Sequence, residues 1–218
     1  MKKKTAVLTA AVLLCAVWTA GCSETGAKKK AWDASENSIY VADDLSVQSA
    51  MVYTSQKEND RYSAEGLAEF AKEQICSYNE EQGAAAEAEH TEGKEKLPVA
   101  LEKSSLEGTT GTLVFSYASP DDFVKFSEEN GDDTHSVTSL QVLDTDASKL
   151  PDLTYKTASG KSMELSKAGA KKGSHMVLTE GSASVYTEGK ILYVTEGVEI
   201  TSDHSAVTPE GTGCIIFK

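Results

Sequence analysis

Three copies of Thr-Glu-Gly stand at Thr179–Gly181, Thr187–Gly189 and Thr195–Gly197, eight residues apart each time. The runs between them, "SASVY" and "KILYV", are rich in β-forming residues. A turn signal at every eighth position between such runs predicts an antiparallel β-meander. Eight residues are too few to complete the usual coil of a β-helix. Glu180, Glu188 and Glu196 would make a cation site only if the three turns converged, and successive turns of a meander alternate between the two ends of a sheet. The repeat therefore reads as turn chemistry. It places Gly189 in a tight hairpin between strands near Ala183–Tyr186 and Ile191–Val194, where a primed turn needs the positive φ that glycine adopts readily. The Glu188 carboxylate is then expected in solvent.

Upstream, the pattern mixes both periods. "NSIYVADDLSVQSAMVYT" alternates around Asp43-Asp44 and predicts strands Ile39–Val41 and Val47–Tyr53. Ser63 then caps a helix on which Leu67, Phe70, Ala71, Ile75 and Tyr78 share one side, with Cys76 nearly opposite and Gly83 as the stop. Charged "GAAAEAEHTEGKEK" predicts a mobile loop or a short helical extension. Two strand-like runs joined by a Gly108–Gly111 turn come next. Ser119, Pro120 and Asp122 then form a helix start, with Phe123 and Phe126 facing inward, and "SVTSLQVLD" reads as a strand. The fold class expected is α+β: an antiparallel sheet with one long and one short helix packed on it, ending in the C-terminal meander. Residues 38–150 form the α+β region and 151–218 a β-rich region, as one domain or as two divided near 151–173.

The first residues address the chain rather than fold it. Lys2, Lys3 and Lys4 precede the uncharged run Thr5–Trp18, which has the layout of an export signal. The run is short of the ~20 apolar residues that span a bilayer. It ends in Thr19-Ala20-Gly21-Cys22, and "TAGC" resembles the bacterial lipobox, with Thr19 where leucine is usual. That resemblance implies a lipoprotein signal peptide over 1–21. It also implies a diacylglycerol thioether on Cys22, the new first residue, and a cell-membrane location on the extracytoplasmic face. Only a thiolate is nucleophilic enough near neutral pH to take the lipid this way. Two or three acyl chains hold firmly at about 0.8 kcal/mol per buried methylene. Residues 22–37 read as a flexible tether whose fifteen residues Ser23–Asn37 reach at most about 50 Å. "SIYV", "LAEF" and "CSYN", with the closing "GKILYVTEGVEI" and "GTGCIIFK", are similar to small lipoproteins of Gram-positive bacteria. No activity comes with that resemblance.

Loss of residues 1–21 removes three lysines and no acid, taking the formal charge from −13 to −16. So acidic a surface repels phosphate and argues against nucleic acid as a partner. Of the four cysteines, Cys15 leaves with the signal and Cys22 is lipidated. Cys76 and Cys214 remain, in a compartment that permits pairing, but two isolated thiols make no disulfide framework.

Catalytic signatures do not emerge. His90, His135, His175 and His204 have no metal-ligand spacing. Asp132, Asp133 and His135 in "NGDDTH", like Asp203-His204, read as solvated turns. Asp144 and Asp146 begin like a calcium loop, but Lys149 holds the glycine position and Tyr155 that of the bidentate glutamate. There is no GxSxG elbow or SxxK pair, and "EGTTGT" lacks the lysine of a phosphate loop. No pair among 34 acids stands out for glycoside hydrolysis. The expectation is no metal, no cofactor and no catalytic residue. The chain reads as a lipid-anchored binding or interaction domain with a protein partner in the cell envelope. The alternatives are an envelope enzyme with a dispersed active site, or an accessory or sensory subunit of a membrane transporter or kinase.

Overall fold

The structure is a computed structural model that describes residues 32, 34–55, 63–145, 150–164 and 172–218. The export signal, Cys22 and the adjoining tether to residue 31 lie outside the described residues, as do Asp146 and Lys149. Among the described residues no helix is long and apolar enough to cross a membrane.

The first half follows its local signals. Strands β1 (Ser38–Val41) and β2 (Val47–Thr54) form an antiparallel pair around Asp43-Asp44. Helix α1 (Ala64–Glu81) starts at Ser63, whose Oγ accepts the Gly66 N–H and satisfies an otherwise orphaned donor. It stops at Gln82, followed by Gly83 at φ 79°. Strands β3 (Val99–Glu107) and β4 (Thr110–Tyr117) pair from Glu107–Thr110 onward, so their turn is Gly108-Thr109. Helix α2 (Pro120–Glu129) has Pro120 in its first turn, and Ser119 Oγ accepts the Asp122 N–H while donating to Asp122 Oδ2. Strand β5 (Ser139–Asp144) comes next.

From here the chain departs from the expected architecture. The remaining strands are β6 (Tyr155–Thr157), β7 (Ser162–Met163), β8 (His175–Glu180), β9 (Ser184–Thr187), β10 (Ile191–Thr195), β11 (Glu199–Ser202), β12 (Ser205–Val207) and β13 (Thr212–Phe217). Two sheets form, mostly antiparallel, instead of one. The seven-stranded sheet runs β11-β12-β9-β1-β2-β4-β3 and the six-stranded sheet β5-β8-β13-β10-β6-β7. The protein is α+β, weighted strongly to β.

The expected C-terminal meander is corrected by the same topology. Strand β8 lies in the six-stranded sheet, β9 in the seven-stranded, β10 back in the six-stranded and β11 again in the seven-stranded. Each Thr-Glu-Gly is a crossing between sheets. Gly189 is therefore not in a hairpin: β9 pairs with β1 and β12, and β10 with β13 and β6. Nor is its φ positive; a Cβ there would stand 2.4 Å from the carbonyl carbon of Lys218. What is shared by the three copies is the buried threonine, each hydroxyl bonded to backbone: Thr179 to Gly213, Thr187 to Gly189, Thr195 to Cys214. A buried hydroxyl without such a partner costs about 1–3 kcal/mol, which is why the strand ends can bury this residue.

The main core lies on one face of the seven-stranded sheet. Ile39, Val41, Val185 and Ala206 meet Val177, Ile191, Val194, Ile215 and Phe217 of the six-stranded sheet. Over β2, β4 and β3 the same core is closed by the helices, through Ile75, Tyr78, Phe123 and Phe126. Tyr78 and Tyr117 both pack edge-on against phenylalanines of α2. The outer face of the six-stranded sheet carries a second cluster, Met176, Cys214 and Ile216 under Leu150 and Tyr155. Buried on both faces, β13 reads "GCIIF" as an unbroken apolar run.

Two segments differ from their local reading. The run 84–97 is packed rather than loose: Asn79, fully buried, donates to the carbonyls of Glu87 and Val99 and accepts the Val99 N–H. The Ala88 carbonyl accepts from Leu101 at a bulge of β3, which covers part of that edge strand. Before β1, Trp32 stacks on Tyr40 with centroids 5.1 Å apart, Glu36 accepts from the Tyr186 hydroxyl, and Asn37 Oδ1 accepts the Val52 N–H. These residues of the tether segment lie against the sheet.

Candidate binding groove

At the Tyr53 end of β2, the floor of the sheet runs out from under α1. Strand alternation puts Met51 and Tyr53 on the helix-bearing face, opposite Leu113 and Gly111 of β4. Across from them stand Leu67 and Phe70 of α1 and Leu106 of β3. Gly111 permits the approach of the helix here, since a Cβ would come within 3.1 Å of the Leu67 side chain. The result is an open groove of about 560 Å³, walled mainly by these apolar side chains, with Ser55, Ser63 and Thr109 supplying hydroxyls.

Phe70 is 60% exposed and Tyr53 68%, and both line this groove. A single exposed aromatic is ordinary. Two lining one apolar depression make it the candidate surface. The helical wheel placed Phe70 with the buried side of α1, and that is corrected: it lines the groove with most of its surface exposed. Cys76, expected exposed, is half-buried against the main core. No carboxylate, imidazole, amine or thiol stands among the groove's described lining residues.

No protein-family model, curated protein or solved structure matches the chain. The groove must be interpreted from its own chemistry.

The residues singled out as possible ligands do not gather around it. Asp132 and His135, expected in a solvated turn, are instead buried, with side chains 5% and 8% exposed and His135 Nε2 3.5 Å from Asp132 Oδ2. The His135 ring lies against Phe123, 4.9 Å between centroids, and its Nδ1 accepts the Val137 N–H. That bond fixes the tautomer: the lone pair is on Nδ1, so the neutral ring carries its proton on Nε2, facing Asp132. Burial pushes the Asp132 carboxyl up, but hydrogen bonds from His135 and Thr134 outweigh it and hold it below its ordinary value. The pair borders a cavity of about 10 Å³, at the lower limit for a single water. It braces the turn after α2 and presents no free base.

The other histidines stand apart. His90 meets Ser116, His175 meets Asp144, and His204 Nδ1 faces the carbonyls of Thr187 and Gly189. Asp203 bonds to Lys190. Among the described residues no three of His, Cys, Asp or Glu gather as a metal site would need. The three repeat glutamates sit on separate segments. Glu180 accepts from Thr212, Glu188 accepts the Asp43 N–H at 2.9 Å, and the Glu196 N–H bonds to the Thr154 carbonyl. Glu188 is thus tied to the β1–β2 turn and is not simply solvated. Cys76 and Cys214 are both free; burial pushes the Cys214 thiol up to about 12, beyond the reach of neutral-pH chemistry.

The groove had one sequence signal that local reading could not use. Phe70 and Tyr53 each fit their own element's apolar stripe. Which stripe position overhangs the end of a sheet is decided only when helix and sheet dock.

Proposed function

We propose that this chain is a lipid-anchored binding module of the extracytoplasmic membrane face, and that the groove between α1 and β2 holds its partner. The observation that carries the reading is the convergence of the exposed Phe70 and Tyr53 on one apolar depression. Large aromatics standing free at the rim are the residue types that anchor protein interfaces. The exposure of Phe70 and Tyr53 along the groove suits a polypeptide segment better than an enclosed small molecule. The Thr19–Cys22 sequence supplies the anchor, with Cys22 as the lipidated residue.

Among the groove's described lining residues, hydroxyls stand without a base beside them, which favours binding over a dispersed catalytic site. A binding module serving a membrane transporter or kinase remains compatible with the same surface.

Fatty-acid labelling tests the anchor. Cys22→Ala is expected to abolish uptake of labelled fatty acid and to release the protein from the membrane fraction. Wild-type protein that takes up no label and appears wholly in the medium would remove the lipid anchor from the reading.

A further inference from the structure

Far from the groove, the chain before β1 is already strapped to the protein. Tyr40 and Tyr186 stand side by side in the β1–β9 pair and point away from the core that Ile39, Val41 and Val185 fill. Trp32 stacks on the Tyr40 ring, and Glu36 accepts from the Tyr186 hydroxyl, so the strap lies on this outer face. The carboxylates next to Tyr40 are an acidic patch. Exposed Asp43 and Asp44 turn the chain after β1, and half-buried Glu188 follows β9 and accepts the Asp43 N–H at 2.9 Å. Burial, and then the charges of Glu188, Asp43 and Asp44, push the Tyr40 hydroxyl up to about 12. Hydrogen bonds from Ser46, with a smaller contribution from Lys96, hold Asp44 below its ordinary value, and Lys190 is held by Asp203. Directly upstream of Trp32 the sequence carries Lys28, Lys29 and Lys30. We infer that the Lys28–Lys30 segment docks on the patch of Asp43, Asp44 and Glu188, extending the strap that Trp32 and Glu36 begin.

Continuity, reach and charge all point to this occupant. Lys30 is two residues from Trp32 and Lys28 four, which is at most about 14 Å of chain. An exposed ion pair is weak when its partners must find each other. Here the Trp32 stack holds the lysines beside the acids at high effective concentration. Between Lys30 and β1 the charged residues are Asp33 and Glu36, so no base of the strap competes for the patch. The consequence for the molecule rests on Cys22 being the lipid anchor. With Lys28 docked, the free link from Cys22 spans at most about 21 Å instead of the whole length to β1. The outer face of β1 and β9 is then the side held toward the bilayer.

The test uses the mature chain, residues 22–218, with Cys22→Ser so that no detergent is needed. Trp32 is its sole tryptophan, because Trp18 leaves with residues 1–21. A water-soluble carbodiimide joins a lysine amine to a touching carboxylate as an amide, the reagent taking up the water as its urea. Mass spectrometry is expected to find Lys28–Lys30 joined to Asp43, Asp44 or Glu188. The product should be lost in 1 M salt, where the screening length is about 3 Å. Lys28→Gln/Lys29→Gln/Lys30→Gln should raise acrylamide quenching of Trp32. Asp43→Asn/Glu188→Gln should raise it equally, with no further rise when the two sets are combined. The lysine variant leaves the patch intact, so it tests the docking even if the patch variant melts early. No cross-link, or cross-links confined to Asp33 and Glu36, overturns the inference. So does unchanged Trp32 quenching in the lysine variant; if that variant loses only its binding to phosphatidylglycerol vesicles, the lysines serve headgroups instead. Because this chain carries no lipid, failure here leaves the Cys22 anchor standing, and failure of fatty-acid labelling leaves the docking standing.

Discussion

Within the seven-stranded sheet, the half under the helices is stitched from neighbours. Strand β1 pairs with β2 and β3 with β4 through short turns, and β2 reaches β4 across only α1, β3 and their loops. In the other half, Ile39 of β1 lies beside Val185 of β9 in a parallel pair, and β9 then pairs with β12. There β9 and β12 are each followed by a crossing to the opposite sheet, and only β11 and β12 are joined as sequence neighbours. The lesson is that one turn signature serves two topologies. Gly108-Thr109 closes a hairpin because both flanking strands fit one sheet. Gly181, Gly189 and Gly197 close none, because the next strand finds its pairing partners in the other sheet.

The largest expected effects break the equivalence of those three turns. A Cβ at Gly181 would stand 2.1 Å from the Ser136 carbonyl oxygen, at φ 102°. Gly181→Val should cost about 3–5 kcal/mol from backbone strain and overpacking together. Gly189→Val meets the Lys218 backbone at 2.4 Å without a positive φ, and should cost about 2–3 kcal/mol. Gly197→Val has φ 90° but only Pro209 carbons at 3.5 Å, and should cost about 1–2 kcal/mol. Urea midpoints of the three variants give the order. Equal losses would mean the turns are interchangeable, as in a meander.

On the helix-covered half, one side chain tests how firmly the 84–97 run is held. Asn79→Ala removes three hydrogen bonds in a fully buried site and should cost about 2–4 kcal/mol. Amide exchange at Val99 should accelerate with it. An unchanged Val99 amide would show that the run is held by something other than α1.

Smaller still is the local capping signal. Ser119→Ala should lower stability by about 1 kcal/mol through the orphaned Asp122 N–H. A loss near zero would mean that the aromatic packing of Phe123 and Phe126 alone places α2, and that this half is less locally determined than its sequence suggests.

The groove and the buried Asp132–His135 pair show where local reading stops. Phe123 and Phe126 were legible as inward because a short helix with a complete start signature has one apolar face. Phe70 was not legible as exposed, because its apolar stripe is continuous with Leu67 and Ala71. His135 was not legible as buried, because its partners come from the turn after α2 and from Phe123, which no spacing rule connects. Cys22 is the reverse case: its proposed role is read from four consecutive residues and needs no fold.

By itself, the sequence determined what depends on adjacent residues: the caps at Ser63 and Ser119, the two helices, the β1–β2 and β3–β4 hairpins and the apolar faces of the strands. Only the tertiary structure decided which sheet each C-terminal strand enters and where a groove stays open. The physical reason is range. A cap or turn satisfies its hydrogen bonds within a few residues, whereas a strand's edges are satisfied by whichever partner the whole core brings alongside. For β9 that partner is β1, at the far end of the chain.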